Sequence, residues 1–251
     1  MEFYLLILSF FVVALIYSSV GFGGGSSYLA LLALPVFAVA FPVIRSTALF
    51  CNIIVVTGGA FIFYKEGKLV FKEVWPYLIS SVPASYIGGF WPIKENTFFI
   101  LLGVTLVIVP FLLWFQPPVV DEQKKSKLPE TNFLKVILGG SIGFLSGLVG
   151  IGGGIFLSPV LHFLRWSDPK KISALASVFI LVNSIGGLMG QFNRGIPELS
   201  WEFLVSLLVA VLLGGQIGSR LGAQKFNPIY IKRITAVVIF VAGLNVLKDH
   251  L

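Results

Sequence analysis

Two glycine clusters, Val20-Gly-Phe-Gly-Gly-Gly25 and Val149-Gly-Ile-Gly-Gly-Gly154, interrupt strongly apolar sequence at corresponding points in the two halves of the chain. Gly21 aligns with Gly150 at an offset of 129, Ser46 and Asn52 with Ser177 and Asn183 at 131, and Ile87-Gly88 with Ile217-Gly218 at 130. A near-constant offset over this length marks a duplicated structure. Any fold for this chain must place the same unit twice, with a glycine break near the start of each copy.

The units suit lipid rather than water. Hydrophobic residues make up 57% of the 251 and charged residues only 12%, against about 25% charged in soluble domains. Ten apolar segments recur, at 3–20, 26–41, 46–63, 75–91, 97–115, 134–149, 154–165, 172–192, 200–220 and 229–247. Several approach the roughly 20 residues a helix needs to cross a bilayer. The expected fold is an all-α polytopic membrane protein of about ten transmembrane segments. Residues 1–115 form a first membrane repeat, 116–133 a linker containing Asp121-Glu-Gln-Lys-Lys-Ser-Lys127, and 134–251 a second repeat. The first segment starts at Glu2 rather than a basic region and has no small-residue cleavage pattern, so it reads as a spanning helix. A single cysteine, Cys51, excludes an internal disulfide. The net charge of +7 is dispersed over short loops, as membrane topology and anionic lipid require, and does not point to nucleic acid.

Lysine and arginine concentrate on the cytoplasmic side of a membrane protein. With ten crossings, one side receives fourteen: Lys65, Lys68, Lys72, Lys124, Lys125, Lys127, Lys135, Arg165, Lys170, Lys171, Arg220, Lys225, Lys232 and Arg233. The other receives four: Arg45, Lys94, Arg194 and Lys248. If the short second and seventh segments stayed out of the membrane, the division would be nine and nine. The unequal split selects ten crossings, a cytoplasmic linker and both termini outside. Five crossings per unit make the two repeats inverted relative to each other. Gly214, Gly218 and Gly222, and Ala84 and Gly88 at the matching place, have the four-residue spacing that lets helices approach closely in lipid.

All eleven acids fall in loops, at segment ends or at the termini: Glu2, Glu66, Glu73, Glu95, Asp121, Glu122, Glu130, Asp168, Glu198, Glu202 and Asp249. Cation carriers and proton pumps place carboxylates inside the membrane, so this pattern points instead to an anion held by neutral donors. The glycine clusters can supply them. A helix starting inside the membrane exposes its first backbone N–H groups and carries about half a positive charge there. Glycine allows φ > 0 and leaves room for a ligand to approach. The candidates are Gly21, Gly23, Gly24 and Gly25 in one break and Gly150, Gly152, Gly153 and Gly154 in the other. Ser26 and Ser27 could cap the first helix; Ser146 and Ser158 flank the second cluster. The same glycines would also serve as tight crossings or turns. No G-x-x-x-x-G-K-[ST] is present, so they do not form a nucleotide loop.

A second polar set is Ser46, Thr47 and Asn52, with Ser177 and Asn183 as counterparts. Asparagine in a spanning helix needs a partner, which an interhelical hydrogen bond of about 1 kcal/mol or a ligand would each provide. Gln191 and Gln216 are of the same kind. His162, the one histidine inside an apolar segment, reads as a hydrogen-bonded interior group, Cys51 as a small core residue, and Arg45 as an interfacial anchor that could also steer anions.

The paired V-G-x-G-G-G motifs, the polar positions that follow them, the repeated I-G and the chain length resemble the TauE/SafE family of sulfite exporters, also called the TSUP transporters, over essentially the whole chain. The resemblance implies a plasma-membrane transporter of small sulfur-containing or organic anions (sulfite, sulfonate or thiosulfate type), with the eight glycines above in its substrate site. It leaves the particular anion open, and one departure is visible: Ser26-Ser27 becomes Ile155-Phe156 in the second half. The expected partners are a small anion and the lipid bilayer, with no cofactor, metal or nucleic acid; the oligomeric state is left open. An anion channel is one competing class. An intramembrane enzyme is another, but it needs a positioned nucleophile and base or a metal cluster, and the chain has no H-E-x-x-H and no paired acids.

Overall fold

The computed structural model describes residues 2–19, 21–37, 39–115, 132–222 and 228–250, and every regular element among them is helical. In chain order these are α1 (Glu2–Ser18), α2 (Gly25–Leu32), a 3-10 turn (Pro35–Phe37), α3 (Phe41–Lys65), α4 (Phe71–Phe90), α5 (Glu95–Trp114), α6 (Asn132–Val149), α7 (Gly154–Phe163), α8 (Pro169–Phe192), α9 (Trp201–Gly222) and α10 (Pro228–His250). Nearly all of the expected linker, 116–131, lies outside the described residues.

Helices follow from the apolar composition, because backbone groups in lipid must be satisfied within the segment. The acids mark where helices begin. Glu2, Glu73, Glu95 and Glu202 occupy first turns, where they complement the helix dipole. Asp168 caps α8, its Oδ1 accepting from the N–H of Lys170 at 3.0 Å and of Lys171 at 3.1 Å.

By length and composition, α3, α6 and α8 and most of α5 and α9 are apolar enough to cross a membrane. The short helices are not. α2 has 8 residues and α7 has 10, about 12 and 15 Å long against a hydrocarbon core of about 30 Å. The segments read as 26–41 and 154–165 are therefore only partly helical. Pro35 stops α2, since the residue before a proline is disfavoured in the helical region. Both breaks are buried, at residues 21–30 and 150–155, so each long helix and its short successor form a hairpin whose tip lies within protein. The tips carry no lysine or arginine, so the loop-charge count is the same wherever they end.

Small residues set the helix pairs. α6 runs parallel to α4, with Gly139 against Tyr77, Gly143 against Ser81 and Gly147 against Ser85. A Cβ on Gly143 would lie 2.6 Å from the Ser81 Cα, so backbones meet directly. α9 runs parallel to α1 in the same way, Gly214 against Phe11 and Gly218 against Leu15. Gly88 faces the Phe144 carbonyl of α6. The α6 stripe escapes repeat matching because its counterpart α1 contains no glycine. At the centre α3 and α8 cross antiparallel, Ser46 meeting Gln191 and Leu49 lying beside Gly187. α5 and α10 also pair antiparallel, through Leu106 with Gly243 and Phe111 with Phe240.

Candidate functional site

The two glycine breaks share their cap geometry and differ at one position, Gly152 having positive φ where its counterpart Gly23 does not. Gly24 (φ 88°, ψ 4°) and Gly153 (φ 82°, ψ −18°) are the N-cap residues of α2 and α7 and take the left-handed conformation. Gly21, Gly150 and Gly152 also have positive φ. A chain reversal this tight needs residues without a Cβ penalty at φ > 0. Each cap carbonyl accepts two N–H groups, from Ser27 and Tyr28 in one break and Phe156 and Leu157 in the other, at 3.0–3.1 Å. The first N–H groups of both helices, Gly25–Ser26 and Gly154–Ile155, find no backbone acceptor among the described residues. Ser26 and Ser27 do not cap α2: they sit inside its first turn, and Ser27 Oγ is 2.7 Å from the hydroxyl of Tyr17.

The tertiary structure brings the breaks together at Asn52, midway along α3. Its Nδ2 donates to the Ile151 carbonyl in the second break at 2.9 Å. A Cβ added to Gly23 would lie 2.5 Å from Asn52 Oδ1, and one on Gly152 would lie 2.8 Å from Asn52 Nδ2. Gly25 abuts the same amide and the Ile151 carbonyl. In return Ser177 of α8 donates its hydroxyl to the Gly21 carbonyl at 3.0 Å, as well as to Ser173 at 2.9 Å. Each break is thus held by the long central helix of the other half.

Several buried polar side chains on the breaks and on α3, α6 and α8 lack partners among the described residues. Asn52 Oδ1, both amide atoms of Asn183 and the hydroxyls of Ser26, Ser146 and Ser184 are buried and unpaired among the described residues. Ser184 Oγ lies 3.0 Å, and Ser146 Oγ 3.2 Å, from where a Cβ on Gly152 or Gly153 respectively would stand. Buried polar groups in proteins are nearly all paired, and each orphan costs about 1–3 kcal/mol. No carboxylate is among these unpaired groups. No group of histidine, cysteine and acids able to hold a metal occurs among the described residues.

The remaining candidates are dispersed. Ser46 donates to Gln191 Oε1 at 3.0 Å, a turn and a half from Asn52 toward the start of α3. Thr47 is buried with an unpaired hydroxyl, but at about 100° per residue it lies about 140° round the helix from Asn52. The glycines do not open onto space: the Cβ positions of Gly24 and Gly153 are occupied by the rings of Tyr28 and Phe179, both 2.9 Å away. Ser184, which belongs with the site, has Ile53 as its repeat mate, so comparing the halves passes over it.

Two broken-helix hairpins inside a bundle of long apolar helices define a multi-pass α-helical membrane protein. The chain belongs to the sulfite exporter TauE/SafE family, whose model matches residues 6–246. It is similar to the probable membrane transporter protein y4hK of Sinorhizobium fredii, 35% identical over 251 residues covering 96% of this chain and 97% of that protein. The probable membrane transporter protein YunE of Bacillus subtilis is 24% identical over 203 residues, 74% of this chain and 71% of the relative. YfcA of Escherichia coli, also a probable membrane transporter protein, is 25% identical over 149 residues, 59% and 54% of the two chains. No solved structure matches the chain.

Proposed function

We propose that this protein is a secondary transporter of small sulfur-containing or organic anions, of the sulfite, sulfonate or thiosulfate type, working by alternating access in the plasma membrane. The observation that carries the reading is the convergence of two buried, donor-rich helix starts on one carboxylate-free point at Asn52. The anion accepts from the first N–H groups of α2 and α7, from the hydroxyls of Ser26 and Ser184 and from the Asn183 amide. Charge-assisted bonds of this kind are about twice as strong as neutral ones, and the two helix starts add their positive ends. The sulfur class follows the family's description as sulfite exporters.

The architecture is two inverted five-segment repeats with ten membrane segments, α2 and α7 being the short arms of the hairpins. Support comes from the pairing: α4 with α6 mirrors α9 with α1, while α3–α8 and α5–α10 each pair a helix with its own counterpart. The parallel α4–α6 pair puts the start of α6 on the side of the Lys65–Lys72 loop, as the charge split requires. Transport exchanges the Asn52–Ile151 and Ser177–Gly21 bonds as one repeat rocks against the other.

Flux of sulfite and thiosulfate into proteoliposomes, with unrelated anions as controls, tests this. Saturable flux stimulated by counter-substrate is expected. Flux that neither saturates nor responds to counter-substrate would sink alternating access, and no movement of sulfur anions would sink the substrate class.

A further inference from the structure

Away from the breaks, one cavity combines buried charge with unpaired donors. It lies at the start of α3, between the α4–α5 turn and the segment leaving α8. It measures about 230 Å3, and Arg45, Ser46, Gln191 and Arg194 line it. Arg45 is only 5% exposed although it sits in a spanning helix, where an ionised side chain is costly and marks a pathway or a partner. No carboxylate lines the cavity, and none pairs with Arg45 among the described residues. The guanidinium donates from Nη2 to the Gly147 carbonyl in the last turn of α6 at 3.1 Å and lies 5.9 Å from the rings of Phe41 and Phe98. Its Nε is buried and has no acceptor among the described residues. Ser46 holds the Gln191 oxygen, which leaves Gln191 Nε2 as the free end of a 92%-buried amide (8% exposed), again with no acceptor. Arg194 adds an exposed second guanidinium, its Nη1 donating to the Trp91 carbonyl at 3.4 Å.

We propose that this cavity is a second anion site, an outer station that holds a small oxyanion on Arg45 and Gln191 with Arg194 at its rim. The inference rests on the transporter reading for its ligand class and extends it by a residue set separate from the breaks. A planar guanidinium is suited to forked recognition of oxyanions. The volume falls below the roughly 300–1,000 Å3 of sites for drug-sized ligands, as a small ion requires. Capping the end of α6 uses one N–H and leaves Arg45 Nε and Gln191 Nε2, on two residues that line the cavity, without acceptors among the described residues. Arg45 and Asn52 are two helical turns apart on one face of α3, about 10 Å, and a Cβ added to Gly150 at the start of the second break would lie 3.5 Å from the Arg45 carbonyl oxygen. An ion leaving the station is therefore one short step from the central site.

The test is calorimetric titration of sodium sulfite into the full-length protein in phosphatidylcholine nanodiscs, with thermal melting of each variant. Gln191→Glu keeps the Arg45 cap and adds a carboxylate to the lining of the cavity, so sulfite affinity should fall at least about tenfold with an unchanged or higher Tm. Arg45→Lys keeps the charge but loses the fork, and should weaken binding less than Gln191→Glu. Equal sulfite affinity in wild type and Gln191→Glu would overturn the outer station and leave the central site standing. Absence of both binding and flux in wild type would overturn both readings. Replacing phosphatidylcholine with phosphatidylglycerol should leave sulfite binding intact; its loss would assign the cavity to lipid headgroups and overturn the station.

Discussion

Asn52→Ala removes the side chain on which both breaks converge. The bond lost, Nδ2 to the Ile151 carbonyl at 2.9 Å, joins α3 of the first half to the break of the second. Ile151 is 3% exposed, so its carbonyl is left without water as well as without a donor. Orphaning a buried acceptor costs about 1–3 kcal/mol, and hydrogen bonds between membrane helices average about 0.6 and reach about 1.7 kcal/mol. The overlap is about 1–2 kcal/mol, a factor of about 5–30 in an equilibrium. If the bond latches the tips together, the open population rises by that factor. The chain supplies its own reporter. Cys51 is fully buried in the same core as Phe22, Tyr28 and Ile151, so a membrane-permeant maleimide reaches it only when the hairpin tip moves off α3. Labelling of Cys51 in Asn52→Ala should accelerate about 5–30-fold, with flux altered and expression and monodispersity preserved. Unchanged labelling and flux in a folded variant would refute the latch and move the site elsewhere.

A tag inserted near Lys125 should report cytoplasmic and one at Gly195, between α8 and α9, should report outside; the same side for both would break the inverted-repeat topology. Glu66→Gln and Glu202→Gln should each leave sulfite flux within about twofold, since these acids sit at helix ends; abolished flux with normal expression would restore a carboxylate to the mechanism. Gly143→Ala should lower Tm by several degrees, because its Cβ would stand 2.6 Å from the Ser81 Cα and carbonyl. Gly59→Ala should be neutral or stabilising by up to about 1 kcal/mol, since its Cβ would meet only the Ser177 hydroxyl at 3.8 Å; a thermal melt that ranks the two the other way round would refute the packing assignment.

Much is legible in the sequence because the signals are local. A glycine at φ > 0, an acid in a first helical turn and an apolar run long enough for lipid are each set by the few residues around them. The reading of Ser26 and Ser27 as caps failed because glycine itself took the cap position on both short helices. Ser46 was grouped with Asn52 by its repeat spacing, yet its hydroxyl turns to Gln191 in a different cavity. Arg45 passed as an interfacial anchor, since nothing in its neighbours along the chain reveals that it is buried against α6.

What the sequence determined by itself is the class of molecule, the two glycine breaks and the confinement of acids to loops, segment ends and termini. Only the tertiary structure decided which residues meet: Asn52 with Ile151 across 99 positions, Arg45 with Gly147 across 102 and Ser177 with Gly21 across 156. The reason is the solvent. In water the inward face of a helix is apolar and the outward face polar, so periodicity tells one from the other. In lipid both faces are apolar, as Leu8, Phe61, Ile108 and Val209 on the outer surface show. The partner of each helix is then chosen by close packing of small residues, such as the Gly139, Gly143 and Gly147 stripe of α6 against α4, and that choice appears only when two helices are laid against each other.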